Sequence, residues 1–254
     1  MIRYGARTLF RKEVRRFLRV FGQTLLTPVV TTALYLVVFG WALGGRLRVM
    51  DGVPYLAFIT PGLVMLAVIT NAFANASSSM FMSKLQGTVV DLLVSPLRHG
   101  EIVFAMVGAS TLRALLVGAA TWAVALLFLG GVSVAHPLLA IAFPLLTAIG
   151  MGAVGLLTGV WAEKFEHVNL VPTFVITPLT FLGGVFYDVG QLPGVFSAFS
   201  RLNPILYVVE GMRHALLGVS SVSPALALLG LAVFDLVTVG ACIGVFRSGW
   251  KLRS

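Results

Sequence analysis

The chain has 254 residues, of which 58% are apolar and only 11% are charged, against about 25% charged residues in soluble domains. So few charges cannot cover a water-facing surface, and a chain this hydrophobic is not disordered, so the composition indicates a polytopic membrane protein surrounded by lipid. The net charge of +9 does not indicate nucleic-acid binding, because most of the excess lies in one N-terminal block beside a hydrophobic segment.

Residues 1–21 are predicted to form an amphipathic helix in the membrane interface. Five arginines recur every four residues, and the apolar residues follow a helical spacing. They are Arg3, Arg7, Arg11, Arg15 and Arg19, and Phe10, Val14, Phe17, Leu18 and Phe21. Cations on such a helix face anionic headgroups and the cytosol, with only Glu13 opposing them. The helix either anchors the topology alone or also docks a cytosolic partner.

Six charge-poor stretches are each predicted to cross the membrane, since a span needs about 20 mainly apolar residues. They are residues 25–43, 55–79, 102–130, 138–162, 168–187 and 225–246. Arg113 interrupts the third stretch and Asp235 lies in the sixth. Charged groups at this depth are expensive, so Arg113 either pairs with Asp235 or reaches the cytoplasmic headgroups.

The distribution of Lys and Arg predicts that both termini are cytoplasmic. With the N-terminus inside, 13 cations fall on internal segments and four on external ones, and Arg113 is intramembrane. Cytoplasmic loops carry the excess of cations in membrane proteins. The localisation expected is therefore a bacterial inner membrane crossed several times.

The loop of residues 84–101 is predicted to hold a short amphipathic cytosolic helix. Thr88 and Asp91 have the spacing of a capping box, and Ser95-Pro96 ends the helix. Leu85, Val89, Leu92 and Leu93 form one apolar stripe. This helix either contacts another protein or packs on the bilayer.

Residues 188–223 contain two apolar runs too short to cross a membrane. Pro193 and Pro204 punctuate them, and Glu210 and Arg213 are one helical turn apart. Such segments are tolerated at membrane depth where protein buries them. We expect a re-entrant hairpin on the external side, with two surface amphipathic helices as the alternative.

Polar residues share faces within two of the spans. Asn71, Asn75, Ser78 and Ser79 do so in the second span, and Thr173, Thr177 and Thr180 in the fifth. Asn71, Asn75, Thr173 and Thr177 are candidates for a translocation path, although helix–helix hydrogen bonding explains such faces equally well. The strip of Gly152, Gly155 and Gly159 is instead typical of close helix packing.

No residue pattern supplies energy-coupling or catalytic chemistry. No Lys follows a Gly, so the chain has no P-loop, and the single Cys242 excludes a disulfide framework. The four histidines, His99, His136, His167 and His214, are scattered over different loops without metal-ligand spacing. We therefore expect no catalytic, cofactor-binding or metal-binding residues.

Several motifs resemble the ABC-2-type permease family, and within it the YadH-like bacterial inner-membrane permeases. They include Gln23-Thr24-Leu25 with Pro28, residues 55–75 and 88–96, the segments Val171-Pro172-Thr173-Phe174 and Leu182-Gly183-Gly184-Val185-Phe186-Tyr187, and Leu192-Pro193, Leu202-Asn203-Pro204-Ile205-Leu206-Tyr207, Gly211 and Arg213. The Pro-Leu-Thr-Phe-Leu-Gly-Gly-Val-Phe-Tyr block is specific, and the resemblance covers essentially the whole chain as one transmembrane domain.

The resemblance implies an all-α half-transporter of the type V exporter kind, with six spans, an interfacial helix, a coupling helix and a re-entrant hairpin. Two copies, or this chain and a relative, would pair with a separate ATPase that binds ATP and Mg²⁺, and would export drugs, glycoconjugates or lipid-linked molecules. The residues implied for ATPase coupling are Leu85, Gly87, Thr88, Asp91, Leu92 and Pro96. Those implied for the re-entrant region are Pro193, Asn203, Pro204, Glu210 and Arg213.

Two alternative functions stay open at the level of the sequence. An ion-gradient-driven secondary carrier or channel would need ionisable groups at mid-membrane, and Arg113 and Asp235 are a thin supply. A membrane enzyme or scaffold has no specific residue pattern in its favour.

Overall fold

A computed structural model describes residues 2–43, 49–50, 52–131 and 134–252, which are almost entirely helical. The helices and strands are α1 Ile2–Leu18, α2 Phe21–Leu43, β1 Val49–Met50, β2 Val53–Pro54, α3 Tyr55–Leu85, α4 Val89–Val94, α5 His99–Leu129, α6 Pro137–Trp161, α7 Phe165–Val171, a π segment Pro172–Ile176, α8 Thr177–Phe181, a 3₁₀ turn Val189–Gln191, α9 Gly194–Leu202, α10 Pro204–Leu217 and α11 Pro224–Ser248. The all-α expectation is confirmed. The two-residue strands β1 and β2 form a short antiparallel ribbon before α3, with Val49 opposite Pro54.

Within the described ranges, four helices are long and apolar enough to cross a membrane, namely α3, α5, α6 and α11. They cover the second, third, fourth and sixth predicted spans. The first predicted span lies in α2, which has 23 residues and contains Pro28. Its apolar part, Thr24–Phe39, is shorter than the four spanning helices. Helix α3 continues six residues beyond the predicted span 55–79, to Leu85.

The fifth predicted span, 168–187, is distorted and ends early. A π segment separates α7 from α8, and the backbone N–H of Thr177 donates to the carbonyl of Pro172, five residues earlier. Pro178 lacks an N–H and so cannot continue a regular α-helical ladder. The helix ends at Phe181, and residues 182–187 form a turn in which Gly184 has a φ of 69°. Glycine adopts this left-handed conformation without steric cost.

Helix α3 is the centre of the fold. Of its most apolar stretch, 78% is buried by other parts of the chain, against 28% in α5 and in α11. It packs mainly against α6 and α5. At the α3–α6 crossing, a Cβ on Gly159 would lie 2.6 Å from the carbonyl oxygen of Ser77, and one on Gly155 would overlap the carbonyl of Phe73. The glycine strip is therefore the close-packing surface that the sequence predicted.

Helices α9 and α10 occupy the region where two short apolar runs were predicted. Asn203 begins α10, because its Oδ1 accepts the backbone N–H of Ile205 while its Nδ2 donates to the carbonyl of Leu179. Most of α10 is buried against α3, α6 and α11. The alternative of two surface helices is therefore wrong for α10, whereas α9 keeps exposed apolar residues such as Val195 and Phe196.

A buried ion pair between Arg213 and Glu210 connects α10 to its neighbours. Arg213 donates to Glu210 and, at 2.7 Å, to the carbonyl of Gly184, and its guanidinium lies 3.8 Å from the centre of the Phe58 ring. Glu210 also accepts the backbone N–H of Ser221 at 2.7 Å. A buried pair needs such additional hydrogen bonds to offset its desolvation. The predicted residues Glu210 and Arg213 thus connect α10 to α3, to the 182–187 turn and to the loop before α11.

We predict that Gly155→Ala destabilises the protein, because the new methyl group meets the backbone of α3 in a packed crossing. Overpacking of this kind costs about 1–3 kcal/mol, and about 1 kcal/mol shifts a midpoint by roughly 2–4 °C in a chain of this size. The measurement is the melting temperature of the purified protein in detergent. Gly244→Ala is the control, since a Cβ at that position of α11 meets nothing within 4 Å. Equal melting temperatures for the two variants would contradict the packing account.

Candidate functional site

A cavity of about 610 Å³ lies between α2 and α3 and is bordered by Arg113 of α5. On α2 its lining runs from Thr24 to Tyr35, a length of about 16 Å at 1.5 Å per residue. Threonines spaced three or four residues apart share one helix face, so α2 presents a hydroxyl row to this cavity. The lining residues are Val20, Thr24, Thr27, Pro28, Thr31, Thr32, Tyr35, Leu63, Leu66, Ala67, Thr70, Asn71, Ala74 and Arg113.

Arg113 is held at the edge of this cavity by two asparagines of α3. Its Nη1 donates to Asn75 Oδ1 at 3.2 Å, and its Nη2 donates to Asn71 Oδ1 at 3.4 Å. Arg113 is residue 15 of the 31 in α5, so it stands at the middle of a spanning helix. An arginine at the centre of such a helix costs roughly 2.5–3.5 kcal/mol on insertion scales unless polar groups meet it. The asparagines supply those groups.

A second guanidinium, from Arg16 of α1, reaches the same asparagine. Arg16 Nη2 donates to Asn75 Oδ1 at 3.0 Å and to the Asn75 carbonyl at 3.1 Å. Glu13 balances this cation, because its Oε2 accepts Arg16 Nε at 3.1 Å and Ser79 Oγ at 2.5 Å. The carboxylate is buried, with only 4% of its side chain exposed. These six side chains, Glu13, Arg16, Asn71, Asn75, Ser79 and Arg113, are called the polar cluster below.

The polar cluster has an excess of one positive charge, since it contains two guanidiniums and one carboxylate. Both guanidiniums donate to one oxygen, Asn75 Oδ1, so their nitrogens are at most about 6 Å apart. Two like charges at about 6 Å repel by roughly 3 kcal/mol at an effective dielectric constant of 20. The cluster therefore favours a negative charge beside Arg113.

The predicted pairing of Arg113 with Asp235 is wrong. Arg113 meets the asparagines of α3, whereas Asp235 on α11 lies against Gly150 of α6. Neither carboxylate oxygen of Asp235 has a hydrogen-bond partner among the residues that the structure describes. The alternative in which Arg113 extends to the headgroups is not needed either, because hydrogen bonds inside the protein already satisfy its terminal nitrogens.

The four candidate path residues fall into two groups. Asn71 and Asn75 are buried in the polar cluster. Thr173 and Thr177 are exposed on the distorted α7–α8 helix, and Thr177 Oγ1 donates back to the carbonyl of Pro172 at 2.9 Å. The structure therefore joins the asparagine face to Arg113 and the cavity, and leaves the threonine face on the outer surface of this chain.

Aromatic rings lie at the other end of the cavity from α1. The Tyr35 ring, which lines the cavity, lies 5.7 Å from that of Phe186, and Phe39 stacks on Phe186 at 5.1 Å. Tyr55 Oη also donates to the carbonyl of Phe186 at 3.1 Å. Offset and tilted aromatic pairs at these distances are attractive. The 182–187 turn therefore packs against Tyr35 at this end of the cavity.

The short helix α4 lies where the coupling helix was predicted, but its boundaries and its cap differ. Leu85 is the last residue of α3, and residues 99–101 already belong to α5, so the connection is shorter than the predicted loop 84–101. Thr88 makes no side-chain capping bond; its hydroxyl donates to the carbonyl of Ser83 instead. The predicted capping box is therefore wrong, although Asp91 does lie in the first turn of α4.

One face of α4 packs on the chain and the other is free. Val89 is buried and Leu92 and Leu93 are half-buried, whereas Val90 and Val94 are 55% and 80% exposed. Leu85 is also exposed, so it does not continue the inward stripe that the sequence predicted. Val90 and Val94 are four residues apart and share a helix face. We call Leu85, Val90, Asp91 and Val94 the coupling face, because they point away from this chain.

The inward face of α4 belongs to a hydrophobic core that also contains residues of α1, of α5 and of the C-terminal segment. Val89 packs there with Leu9 of α1, Ile102 of α5, and Phe246 and Leu252 near the C-terminus. The side chain of Leu97 lies directly over Gly5 of α1. The coupling face is therefore built on a fixed base that includes α1.

Two lysines make further polar contacts at this end of the molecule, near the C-terminus of α6. Lys84 Nζ donates to the carbonyls of Val160 and Ala162, at the end of α6. Lys251 Nζ donates to Glu163 at 2.6 Å, and this hydrogen bond and the charge of Lys251 hold the pKa of the Glu163 carboxyl below its usual value. Lys84, which the sequence left without a role, thus completes the C-terminus of a spanning helix.

The part that α1 plays in the polar cluster was not predicted from the sequence. A signal for this role was present in the sequence. Glu13 is the one acidic residue in a segment with seven cations, and it lies three residues after Phe10, on the apolar face of the helix. A lone carboxylate on the buried face of a basic helix indicates a polar partner inside the protein.

These features define the class of protein. The family model of the ABC-2 type transporter matches residues 4–217, and the chain belongs to this family. The match begins in α1 and ends at the last residue of α10, so it includes the cavity, the polar cluster and the coupling face.

Individual relatives agree with this assignment. The chain is 42% identical to the inner membrane transport permease YadH of Escherichia coli (strain K12) over 98% of its own length and 96% of that protein. It is 30% identical to nodulation protein J of Rhizobium leguminosarum bv. trifolii over 77% of the chain and 74% of that protein. It is 27% identical to nodulation protein J of Rhizobium meliloti (strain 1021) over 90% of the chain and 87% of that protein. The protein is thus a multi-pass permease similar to inner-membrane relatives.

We predict that Glu13→Gln destabilises the docked form of α1, because it leaves two guanidiniums on one asparagine without a carboxylate. Hydrogen bonds to charged groups contribute about 1.5–3 kcal/mol, so the melting temperature in detergent should fall by several degrees. Glu166→Gln, on the exposed first turn of α7, should change it little.

The double variant Glu13→Gln, Arg16→Gln separates this explanation from simple loss of hydrogen bonds. Removing Arg16 as well returns the net charge of the cluster from +2 to the original +1, so the double variant should lose less stability than the sum of the two single variants. Additive losses, or a loss no greater than that of Glu166→Gln, would contradict the charge balance inferred for the polar cluster.

Proposed function

We propose that this chain is the transmembrane subunit of an ATP-driven exporter and works with a separate ABC ATPase. Two copies, or this chain and a relative, form the membrane part in a bacterial inner membrane. ATP and Mg²⁺ bind to the partner, since the chain itself contains no Gly-Lys pair for a P-loop. The substrate is amphipathic, such as a drug, a glycoconjugate or a lipid-linked molecule.

The observation that carries this proposal is the coupling face. Val90 and Val94 expose most of their surface on a short helix between two spanning helices, on a base that packs α1, α5 and the C-terminal residues together. Apolar residues displayed outside the membrane-spanning part indicate a contact with another protein. A motor subunit docked there would act on a base that moves as one unit.

The proposed topology has six spans and both termini in the cytoplasm. In this topology helix α2 and the α7–α8 helix are the two spans beyond the four long ones. The count of 13 internal cations against four supports a cytoplasmic position for α1 and α4. Helices α9 and α10 then form a re-entrant hairpin on the external side. The burial of α10 by α3, α6 and α11 supports this placement, because a non-spanning helix at membrane depth needs protein around it.

A continuous set of contacts connects the coupling face to the cavity. Helix α4 packs on α1 through the core at Val89 and Leu9, and α1 reaches α3 through Glu13–Ser79 and Arg16–Asn75. We propose that closure of the motor on ATP displaces α4 and α1 together and changes access to the cavity between its two sides. The polar cluster is then the element that transmits the motion.

A secondary carrier is less well supported. It would require a carboxylate or histidine that faces the cavity, and neither is found among the described residues that line it. Asp235, the carboxylate inside α11, is not among those lining residues.

We predict that Val94→Asp abolishes association with the partner ATPase while the permease still inserts. A charge in an apolar protein contact costs several kcal/mol, which lowers affinity by roughly a hundredfold or more. The measurement is co-purification of a candidate ABC ATPase with the permease, followed by ATP hydrolysis. Val195→Asp is the control, because Val195 is an equally apolar residue, 68% exposed, on α9.

If Val94→Asp and Val90→Asp both retain the ATPase at the wild-type yield and support its stimulation, then α4 is not the docking element.

We predict that the two ends of α11 face opposite sides of the membrane. Ser223 precedes this helix and Ser248 ends it, and both are exposed. In a Cys242→Ser background, an impermeant maleimide added to whole cells should label a cysteine at Ser223, and a cysteine at Ser248 only after permeabilisation. Labelling of both from outside would exclude the cytoplasmic C-terminus.

A further inference from the structure

The cavity between α2 and α3 has an unequal chemistry along its length. At the end near α1 it is bordered by Arg113, whose charge is not balanced within the polar cluster. At the other end its lining reaches Tyr35. Between them are apolar side chains such as Leu63 and Leu66, and the hydroxyls of Thr27 and Thr31.

We propose that this cavity binds the anionic headgroup of an amphipathic molecule, and that Arg113 contacts a phosphate or sulfate oxyanion. The inference rests on the proposed function and names its substrate class. A guanidinium presents a fork of N–H donors that matches such oxyanions, and threonine hydroxyls add neutral donors beside it. The apolar side of the cavity then accommodates the lipid or aglycone part.

The charge balance of the site favours an anion over a neutral or cationic ligand. Glu13 engages Arg16, and the asparagine oxygens that meet Arg113 are neutral acceptors. Arg113 is only partly buried and lies on the cavity lining, so a ligand can reach it. A bound oxyanion with one negative charge brings the net charge of Arg16, Arg113 and Glu13 to zero. A cation would meet two positive charges at the same place.

The size of the cavity is also suited to a headgroup with part of a chain. Its volume of about 610 Å³ lies within the usual range of roughly 300–1,000 Å³ for small-molecule sites. A free inorganic phosphate would fill only a small part of it. Inorganic phosphate and a lipid-linked phosphate nevertheless present the same oxyanion to Arg113. An experiment must therefore distinguish the two.

The test is a binding measurement on the purified permease in a neutral detergent, without any ATPase. The probes are dihexanoyl phosphatidic acid, neutral dihexanoylglycerol and inorganic phosphate, each titrated by calorimetry. Phosphatidic acid should bind, phosphate should bind more weakly, and dihexanoylglycerol should not bind detectably. Phosphate binding as tightly as phosphatidic acid would overturn the amphipathic part of the proposal, and equal binding of dihexanoylglycerol would overturn the anionic part.

Variants then assign the site. Arg113→Gln should weaken phosphatidic acid binding by about tenfold or more, since a charged hydrogen-bonding partner is lost. Arg11→Gln, at an exposed position on α1, should leave it unchanged. If Arg113→Gln does not fold, Thr31→Val keeps the shape of the cavity and should still reduce binding severalfold. Wild-type affinity in Arg113→Gln, or in Thr31→Val where only that variant folds, would overturn the proposed site.

The outcome is independent of the proposed partner. A permease that binds phosphatidic acid through Arg113 but recruits no ATPase would contradict the exporter mechanism and leave the anion site standing. A permease that recruits the ATPase through Val94 but binds no oxyanion would contradict the anion site and leave the exporter mechanism standing.

Discussion

The arginine at the middle of α5 is the constraint on which much of the structure depends. A guanidinium inside a spanning helix is tolerated only where polar groups meet it. Asn71 and Asn75 of α3 do so, and Asn75 also accepts a hydrogen bond from Arg16. Because Arg16 comes from α1, the N-terminal helix is attached to the helices that carry the asparagines and the arginine. The same arrangement places an excess positive charge at the edge of the cavity, so one local requirement determines both the position of α1 and the electrostatic character of the candidate site.

The remaining packing allows this polar arrangement inside an apolar fold. Glycines bring α6 against the backbone of α3, where Gly155 and Gly159 leave no room for side chains. At the opposite end, Arg213 and Glu210 attach α10 to α3 and to the turn at Gly184. Helix α3 is therefore held on several sides, with the polar cluster toward one end and the aromatic contacts of Phe186 toward the other. Motion of α1 relative to α3 would change the cavity without disturbing the α3–α6 crossing, which is consistent with a transport role.

Much of the helical architecture could be predicted from hydrophobicity, because length and apolar content are properties of the sequence alone. The four long spans, the glycine crossing and the two short helices before α11 follow from these local patterns. The distortion at Pro172 and Pro178 was missed because a π segment depends on backbone hydrogen bonds that composition does not reveal. The partners of Arg113 were wrongly assigned because charge complementarity favoured Asp235, whereas the fold presents amide oxygens. The direction of Leu92 could not be predicted because both faces of α4 are apolar, and only tertiary packing distinguishes them.

The central claim is that the cavity between α2 and α3 changes its accessible side when the motor binds nucleotide. A cysteine at Thr70, which lines the cavity, reports this directly in a Cys242→Ser background. Vesicles containing the permease with its ATPase are treated with an impermeant maleimide from each side, with and without a non-hydrolysable ATP analogue. The account predicts labelling from the cytoplasmic side without nucleotide and from the external side with it. Labelling that is the same in both states, from either side, would contradict it.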